Sequence, residues 1–226
     1  MPDTVKGRRR YDSTRRREQA AATRREILDA AERLFLRDGY AGTTMAAIAE
    51  EARVALKTVY VAFETKSGVL RALWNVRLRG GREDVPMAEQ DMYREVLEEA
   101  DPERQLRLNA RNSREGKLRI AALAEVIRSA APLDADIHAL WRRIGTEYRA
   151  NQRAIVESIA EKGALRSGLD VDRAADVLWT LNHPNTWQLL VPERGWTPEE
   201  YETWSADLAC SQLLAPRKAA RRARRR

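Results

Sequence analysis

The sequence has few of the residues on which most catalytic and metal sites depend. It contains one cysteine, Cys210, and two histidines, His138 and His183. A single cysteine rules out an intramolecular disulfide framework, and the two histidines lack the close spacing of a paired metal motif. A glycine-rich phosphate loop and the nucleophile elbow of hydrolases are also missing. We therefore expect a protein that is not an enzyme and that holds neither a metal nor a cofactor.

Long apolar runs are equally absent. No stretch approaches the ~18 consecutive apolar residues of a membrane-spanning helix. The arginine-rich start of the chain is not followed by the apolar segment of a signal peptide. An unpaired cysteine suits a reducing compartment. The sequence predicts a cytoplasmic protein that neither spans a membrane nor is exported.

Residues that favour sheets are scarce as well. There are two phenylalanines, whereas alanine, arginine, glutamate and leucine are abundant and 33% of the chain is charged. The abundant residues favour helices over strands. The sequence therefore predicts an all-α fold.

Positive charge is concentrated at the two ends of the chain. The formal net charge is +7, yet residues 216–226 alone hold seven basic residues and no acid, and residues 1–25 hold nine basic residues against three acids. Because basic side chains release condensed counterions when they neutralise phosphates, such arms suit nucleic acid, although solvated tails are the alternative. We predict a disordered basic arm over 1–22 and a basic tail over 216–226.

Apolar spacing predicts that stable helix begins at Thr23. Glu26 follows Thr23 at the spacing of a capping box, and apolar residues then recur along one face of a helix. Gly39 is expected to end this helix, because glycine adopts the left-handed conformation at low cost.

Two short helices separated by a tight turn are predicted next. Thr44 is placed to cap a helix over 45–52, and a second helix over 56–63 has its apolar residues on one face. A further helix ends at the Gly80-Gly81 pair, which closes a predicted domain over 23–80. Helix, tight turn and helix together form a supersecondary motif found in DNA-binding proteins.

A resemblance to the TetR family of transcriptional regulators lies in the segment TTMAAIAEEARVALKTVYVAFETKSGVLRALW. It extends from about Thr23 to Trp74. Its anchors, all at the spacing of the family, are Phe35, Gly39, Thr43, Thr44, Ile48, Ala49, Ala52, Arg53, Val54, Thr58, Val59, Tyr60, Phe63 and Lys66. The resemblance implies an N-terminal three-helix DNA-binding domain with a helix-turn-helix motif, followed by a larger helical domain over 81–215 for dimerisation and ligand binding.

The predicted helix over 56–63 has side chains that suit base recognition. If Val59 and Phe63 face the core, Lys57 and Thr58 project outward near the helix N-terminus, the part of a recognition helix that reaches bases in the major groove. Lys57 is expected to donate to guanine, and Thr58 to touch a thymine methyl group.

Further contacts to phosphates are implied by the resemblance. Thr44 and Tyr60 are expected to bind phosphate oxygens, and Lys66 to hold another together with the N-terminus of its helix. A purely structural role is the alternative for Thr44 as a cap and for Tyr60 as a core aromatic.

Three positions depart from the family pattern. Arg53 stands where the turn usually has glycine, so we expect a strained positive φ there; it is predicted to contact phosphate, with a solvated turn residue as the alternative. Ala55 replaces a common serine cap, and Ala62 replaces a common histidine. These two replacements remove polar groups from the implied phosphate contacts.

Beyond residue 81 the sequence predicts helices separated by proline or glycine, over 86–100, 103–112, 114–131, 134–163, 170–183 and 197–214. In the TetR family the last two helices form a dimeric four-helix bundle. The apolar residues expected at that interface are Val177, Leu178, Leu181, Tyr201, Trp204 and Leu208. Packing inside one protomer is the alternative.

A ligand cavity is predicted between the helices of the C-terminal domain. The candidates are polar groups on apolar faces and two aromatics of the long helix: Asn109, Asn112, Trp141, Tyr148, Asn182 and His183. Ordinary core packing is the alternative for each of them.

These observations together predict a homodimeric, sequence-specific DNA-binding regulator. The expected function is repression at a near-palindromic operator, relieved by a small, largely apolar ligand. The alternative is a helical interaction protein that binds acidic partners or an anionic membrane surface through its basic arms. That alternative leaves the helix-turn-helix motif unexplained.

Overall fold

The structure, a computed structural model, describes the backbone of residues 5–78 and 91–216 and the side chains of 15–78 and 92–216. Within these ranges the regular structure is helical, apart from one isolated antiparallel bridge between Leu165 and Leu214. The predicted all-α fold is confirmed. The predicted Gly80-Gly81 helix end and the basic tail beyond Pro216 lie outside the described residues.

The N-terminal helices are α1 (Val5–Gly42), α2 (Met45–Glu51), α3 (Leu56–Phe63) and α4 (Lys66–Leu78). Helix α1 packs against α2 and α4, and α3 packs against α2 and α4. The side chains at the centre of this packing are fully buried and come from α1, α2, α3 and α4: Ile27, Phe35, Ile48, Val59, Leu70 and Leu73. These helices therefore share one apolar core.

Helix α1 is longer than predicted at its start. It begins at Val5, so the prediction of a disordered arm over 1–22 is wrong from residue 5 onward, and Thr23 lies inside the helix instead of capping it. The residues before Thr23 are rich in arginine and alanine, which favour helix, and extending an existing helix avoids the cost of nucleating a new one. At Gly39 the backbone leaves the helical conformation, with φ 71° and ψ 175°.

The C-terminal helices are α5 (Asp91–Glu98), α6 (Pro102–Ala130), α7 (Ala135–Glu161), α8 (Val171–Leu181), α9 (Pro184–Gln188) and α10 (Pro198–Leu213), and a π-helical turn over Leu189–Glu193 follows α9. Helix α6 is continuous, so the predicted break at residue 113 is wrong; no proline interrupts it, and Gly116 is tolerated inside it. Pro184 begins α9, where a missing N–H costs nothing. None of the helices in the described ranges combines the length and apolarity that crossing a lipid bilayer requires.

The chain divides into two compact units. The first consists of Met1–Gly81 and Ala122–Trp141, and the second of Arg82–Ala121 and Arg142–Arg226. Helices α6 and α7 each contribute to both units. The predicted domain over 81–215 is thus divided, because residues 122–141 cluster with the N-terminal helices.

The second unit has its own apolar core. Helices α5, α6, α7, α8 and α10 contribute to it through Val96, Leu106, Ile155, Val156, Ile159, Ala174, Leu178, Leu181, Ala209 and Leu213.

Three of the residues predicted at the dimer interface are instead buried inside the protomer. Leu178 and Leu181 belong to this core, and Tyr201 has no exposed surface. They offer no surface to a partner, which corrects that assignment. Val177, Trp204 and Leu208 pack at the edge of the core and stay partly exposed.

Candidate functional site

Thr44 stands at the entrance to α2 in the geometry of an N-cap. Its backbone is extended, with φ −118° and ψ 158°, and its Oγ1 accepts a hydrogen bond of 3.1 Å from the backbone N–H of Ala47. The side chain is exposed. Since a hydroxyl that accepts one hydrogen bond keeps its own proton to donate, capping and phosphate binding are compatible at Thr44.

The turn between α2 and α3 is built around Arg53. Its φ is 56°, so the expected left-handed conformation is confirmed. The Arg53 N–H donates to the Glu50 carbonyl at 3.0 Å and the Val54 N–H donates to the Ala49 carbonyl at 2.9 Å. This pair of bonds is a Schellman motif, which usually has glycine at the left-handed position, and the Cβ of Arg53 adds about 1 kcal/mol of strain.

Helix α3 has one buried and one exposed face, as predicted. Val59 and Phe63 are buried, whereas Lys57 is exposed and Thr58 is half-buried. Tyr60 is 48% exposed, so it is not the core aromatic of the alternative interpretation. The exposed face of α3 therefore presents a lysine, a threonine and a tyrosine hydroxyl.

Two exposed apolar residues of α3 were missed by sequence reasoning. Val61 is 77% exposed and Leu56 is 41% exposed. Neither fits a solvated surface, and both have the methyl groups that contact thymine in a major groove. For Val61 the signal was available, because it falls off the apolar stripe defined by Val59 and Phe63. Leu56 lies on that stripe, and its exposure at the first position of α3 follows only from the structure.

Lys66 does not fit the phosphate contact expected of it. Its Nζ donates to the backbone carbonyls of Tyr40 at 2.7 Å and Thr43 at 2.9 Å, and it lies 4.1 Å from the centre of the Tyr40 ring. Burial lowers the pKa of this ammonium. Lys66 therefore closes the end of α1 against α4, and this internal role replaces the predicted one.

The position of α3 depends on two residues that the motif did not reveal. The Arg24 guanidinium donates to the Ala62 carbonyl at 2.9 Å and lies 4.2 Å from the centre of the Phe63 ring. A Cβ at Gly68 would come within 2.2 Å of the Phe63 carbonyl oxygen, so only glycine allows α4 to start this close to α3.

Three of the predicted ligand residues come together in the second unit around Gln152. The Gln152 Oε1 accepts hydrogen bonds from Asn109 Nδ2 at 2.9 Å and from Asn182 Nδ2 at 3.3 Å. The Tyr148 hydroxyl donates to the Asn182 carbonyl at 2.9 Å. The result is a buried polar cluster between α6, α7 and the end of α8.

The other three predicted ligand residues lie elsewhere or have structural roles. Asn112 donates to the Met92 carbonyl at 2.8 Å. His183 caps α9 through Nδ1 and packs edge-on against Trp179 at 4.7 Å, and burial lowers its pKa. Trp141 belongs to the first compact unit, so it is not part of the buried polar cluster.

Lys117 is a buried residue that sequence reasoning missed. It is 5% exposed, its Nζ donates to Ser113 Oγ, and it lies 5.3 Å from the centre of the Tyr201 ring. Ser113 Oγ is 3.2 Å from the Tyr148 hydroxyl, which connects Lys117 to the polar cluster. Burial lowers the pKa of Lys117 to about 7. The signal was its spacing, since Lys117 falls on the apolar stripe of α6 with Ala124.

Solved structures of other proteins share this fold. A SmeT–triclosan complex superposes with a TM-score of 0.69 and 20% sequence identity, over 86% of this chain and 93% of the other. FadR from Bacillus subtilis in complex with stearoyl-CoA superposes with a TM-score of 0.65 and 21% identity, over 83% of this chain and 97% of the other. Identities this low show the common fold alone.

The sequence itself matches in the N-terminal helices. The family model of bacterial regulatory proteins of the TetR family matches residues 27–73, which run from α1 through α4. YvkB of Bacillus subtilis, described as an uncharacterized HTH-type transcriptional regulator, is 35% identical over 75 residues, or 33% of this chain and 40% of YvkB. The match thus spans less than half of the relative and coincides with the exposed α3 face and its supporting helices. Residues 27–73 of this chain are therefore similar to the helix-turn-helix region of TetR-family transcriptional regulators.

Proposed function

We propose that this protein binds a near-palindromic DNA operator as a homodimer and represses transcription until a small, largely apolar molecule releases it. The observation that carries the proposal is the exposed face of α3, where Lys57, Tyr60 and Val61 stand out from a helix whose other face is buried. A single helix of this width enters the major groove. Among the described residues, the packing of the helices leaves most of this face uncovered.

Base contacts and phosphate contacts come from different parts of the motif. Lys57 and Thr58, near the N-terminus of α3, read base edges, and Val61 adds an apolar contact to a thymine methyl group. Thr44, Arg53 and Tyr60 flank them and hold phosphates, which position the helix without reading sequence. Lys66 is no longer in this set, because its donors face carbonyl groups.

The homodimer is supported by the edge of the second core. Val177, Trp204 and Leu208 come from α8 and α10, the last two long helices, and keep part of their apolar surface exposed. In a two-fold dimer they would meet the same residues of a second copy. Two α3 helices held by such a dimer would contact half-sites about 34–36 Å apart, or somewhat more.

Release by a ligand is supported by the buried polar cluster of the second unit. SmeT and FadR, which share the fold, were solved with triclosan and stearoyl-CoA respectively. In this chain, polar side chains such as Asn109, Gln152 and Tyr148 are collected in an otherwise apolar interior. A few placed polar groups among apolar ones are typical of small-molecule sites.

The proposal is tested by selecting genomic DNA fragments with the purified full-length protein. We expect recovered fragments to share one near-palindromic sequence and sedimentation to show two copies of the chain on each site. A reporter gene behind that sequence should be repressed when the protein is present. Recovery of unrelated fragments, or a monomer bound to a single half-site, would contradict the proposal.

A further inference from the structure

Lys117 is a buried lysine in α6. Among the residues that the structure describes, no carboxylate lies within ion-pair distance of its ammonium, whose contacts are the Ser113 hydroxyl and the Tyr201 ring. Other basic residues of α6 behave differently. Arg114, three residues earlier, pairs with Glu202 at 2.5 Å and with Glu199 at 3.2 Å.

An unpaired ammonium in this position opposes folding. Removing a charge from water without a partner is among the largest costs in a protein interior, and apolar residues of similar length avoid it. A partly exposed lysine would lift its ammonium to solvent, but Lys117 is 5% exposed. No described residue supplies the compensating negative charge, so the ammonium either gives up its proton or pairs with a negative group that the described residues do not provide.

Two other buried polar atoms, in residues linked to Lys117 through intervening side chains, have no hydrogen-bond partner among the described residues. Asn182 Oδ1 and Trp179 Nε1 are buried and make no hydrogen bond within the described part of the chain. Asn182 is joined to Lys117 through Tyr148 and Ser113, and the Trp179 ring packs on His183. Buried polar groups are nearly always satisfied in folded proteins, so unsatisfied ones indicate an absent ligand or water.

One aromatic ring, that of Tyr201, lies beside the ammonium, and further aromatic rings pack behind it. The Tyr201 ring, which lies beside Lys117, packs edge-on against Trp187 at 5.0 Å and lies 6.1 Å from Trp204. Trp204 in turn packs edge-on against Trp196 at 5.8 Å. A molecule that reached the ammonium would thus meet apolar and aromatic surface as well as one positive charge.

We propose that the effector of this regulator is an organic acid with an apolar or aromatic body and that its carboxylate pairs with the buried Lys117 ammonium. The inference rests on the proposed release by a ligand and deepens it by giving the ligand a charge. The carboxylate would accept hydrogen bonds from Lys117 Nζ, and the unpartnered Trp179 Nε1 and Asn182 Oδ1 would bind polar atoms of the same molecule.

The pairing predicts a dependence on pH. The groups that face Lys117 are Ser113 of α6, Tyr148 of α7, Tyr201 of α10 and His183 before α9. Burial raises the pKa of both tyrosines and lowers that of His183, so none of them changes charge between pH 7 and 9. Free Lys117, with a pKa of about 7, loses its proton in this range, so affinity for an acid falls about tenfold per pH unit above 7.

The test compares acids with their uncharged amides on the full-length protein. The test set consists of two aromatic acids, benzoate and phenylacetate, and two aliphatic acids, octanoate and dodecanoate. Each acid is compared with its own primary amide, so aromatic and aliphatic compounds are assessed separately. Thermal shift at pH 7 screens the set and titration calorimetry measures the affinities. We expect at least one acid to bind, and to bind at least tenfold more tightly than its amide.

Two variants locate the charge that makes the difference. Lys117→Met keeps an unbranched side chain of similar size without the charge and should abolish the preference for acid over amide. Arg119→Gln removes an exposed positive charge from the same helix and should leave the preference unchanged. If Lys117→Met does not fold, as judged by its helical circular dichroism, the pH profile of the unaltered protein decides.

Several results would overturn the inference. They are binding of no acid in the set, equal binding of acid and amide, an acid preference that survives Lys117→Met, or an affinity that does not change between pH 7 and 9. Because these titrations contain no DNA, they are independent of the proposed repression. An acid that binds through Lys117 but leaves operator binding unchanged would support the inference and contradict the release mechanism.

Discussion

Lys57 is exposed on α3, and no described residue holds its ammonium in place. If it reads a guanine, Lys57→Ala should cost ~1–3 kcal/mol of operator binding and relax the sequence preference at one or two base pairs. Competition between the operator and single-base variants measures this change. Arg119→Ala, an exposed charge of the second unit, is the control. Equal losses on all competitor sequences would show that Lys57 binds only phosphate.

Lys66 has the opposite surroundings, since two carbonyl groups and the Tyr40 ring hold its ammonium. Lys66→Ala should lower the free energy of unfolding by ~1–3 kcal/mol, because charge-assisted hydrogen bonds are lost and two carbonyls lose their donor. Urea unfolding of Lys66→Ala and of Lys57→Ala compares their free energies of unfolding, and we expect only Lys66→Ala to lose stability. A Lys66→Ala protein as stable as the unaltered one, but weaker on every DNA, would restore the phosphate role.

At the scale of elements, the turn after α2 combines strain with an exposed charge. Arg53→Gly should raise the free energy of unfolding by up to about 1 kcal/mol, because glycine adopts a φ of 56° without a Cβ clash. The same change should weaken DNA binding and lower its salt dependence by about one phosphate contact. Thermal unfolding and titrations at several salt concentrations separate the effects. Unchanged DNA binding would make Arg53 a solvated turn residue.

The start of α1 allows a second prediction at this scale. Deleting residues 1–20 removes seven basic residues, whereas the buried face of α1 begins at Ile27. The truncated protein should keep its melting temperature and its oligomeric state but bind the operator less tightly and with a smaller salt slope. If operator affinity depends on salt concentration equally in the full-length and truncated proteins, the early turns of α1 do not contact DNA.

The elements show which features the sequence alone could predict. Helices α2 and α3 were predicted within one residue, because Thr44, Gly39 and the Val59–Phe63 spacing act over a few residues. The early part of α1 was missed because it has no apolar stripe, and its helix depends on extension from the packed turns that follow.

The sites divide in the same way. The exposed face of α3 follows from the periodicity of one helix, and it was predicted. Lys66 binds carbonyl groups 23 and 26 residues earlier in the chain, and Lys117 lies against the Tyr201 ring of another helix. Only the assembled packing reveals these contacts. Sequence spacing identifies a side chain on an apolar face but not the group that it meets there.

At the scale of the whole molecule, regulation requires coupling between DNA and effector. If an effector lowers operator affinity by a given factor, the operator must lower effector affinity by the same factor, ordinarily between about 5-fold and 150-fold. Titration of effector into free protein and into operator-bound protein measures the two effector affinities. Equal effector affinity in the two titrations would exclude release by this ligand.

The division of the chain between its two units has a consequence for its synthesis. The first unit includes residues 122–141, and two of its hydrogen bonds join α1 and α4 to that segment: the Tyr40 hydroxyl donates to Asp134 at 2.6 Å and the Ser67 hydroxyl to Asp136 at 3.0 Å. A ribosome that has released only the first 81 residues has therefore not yet supplied these acceptors. The N-terminal helices reach their final set of contacts only after Trp141 has emerged, when forty residues of the second unit are already outside the exit tunnel.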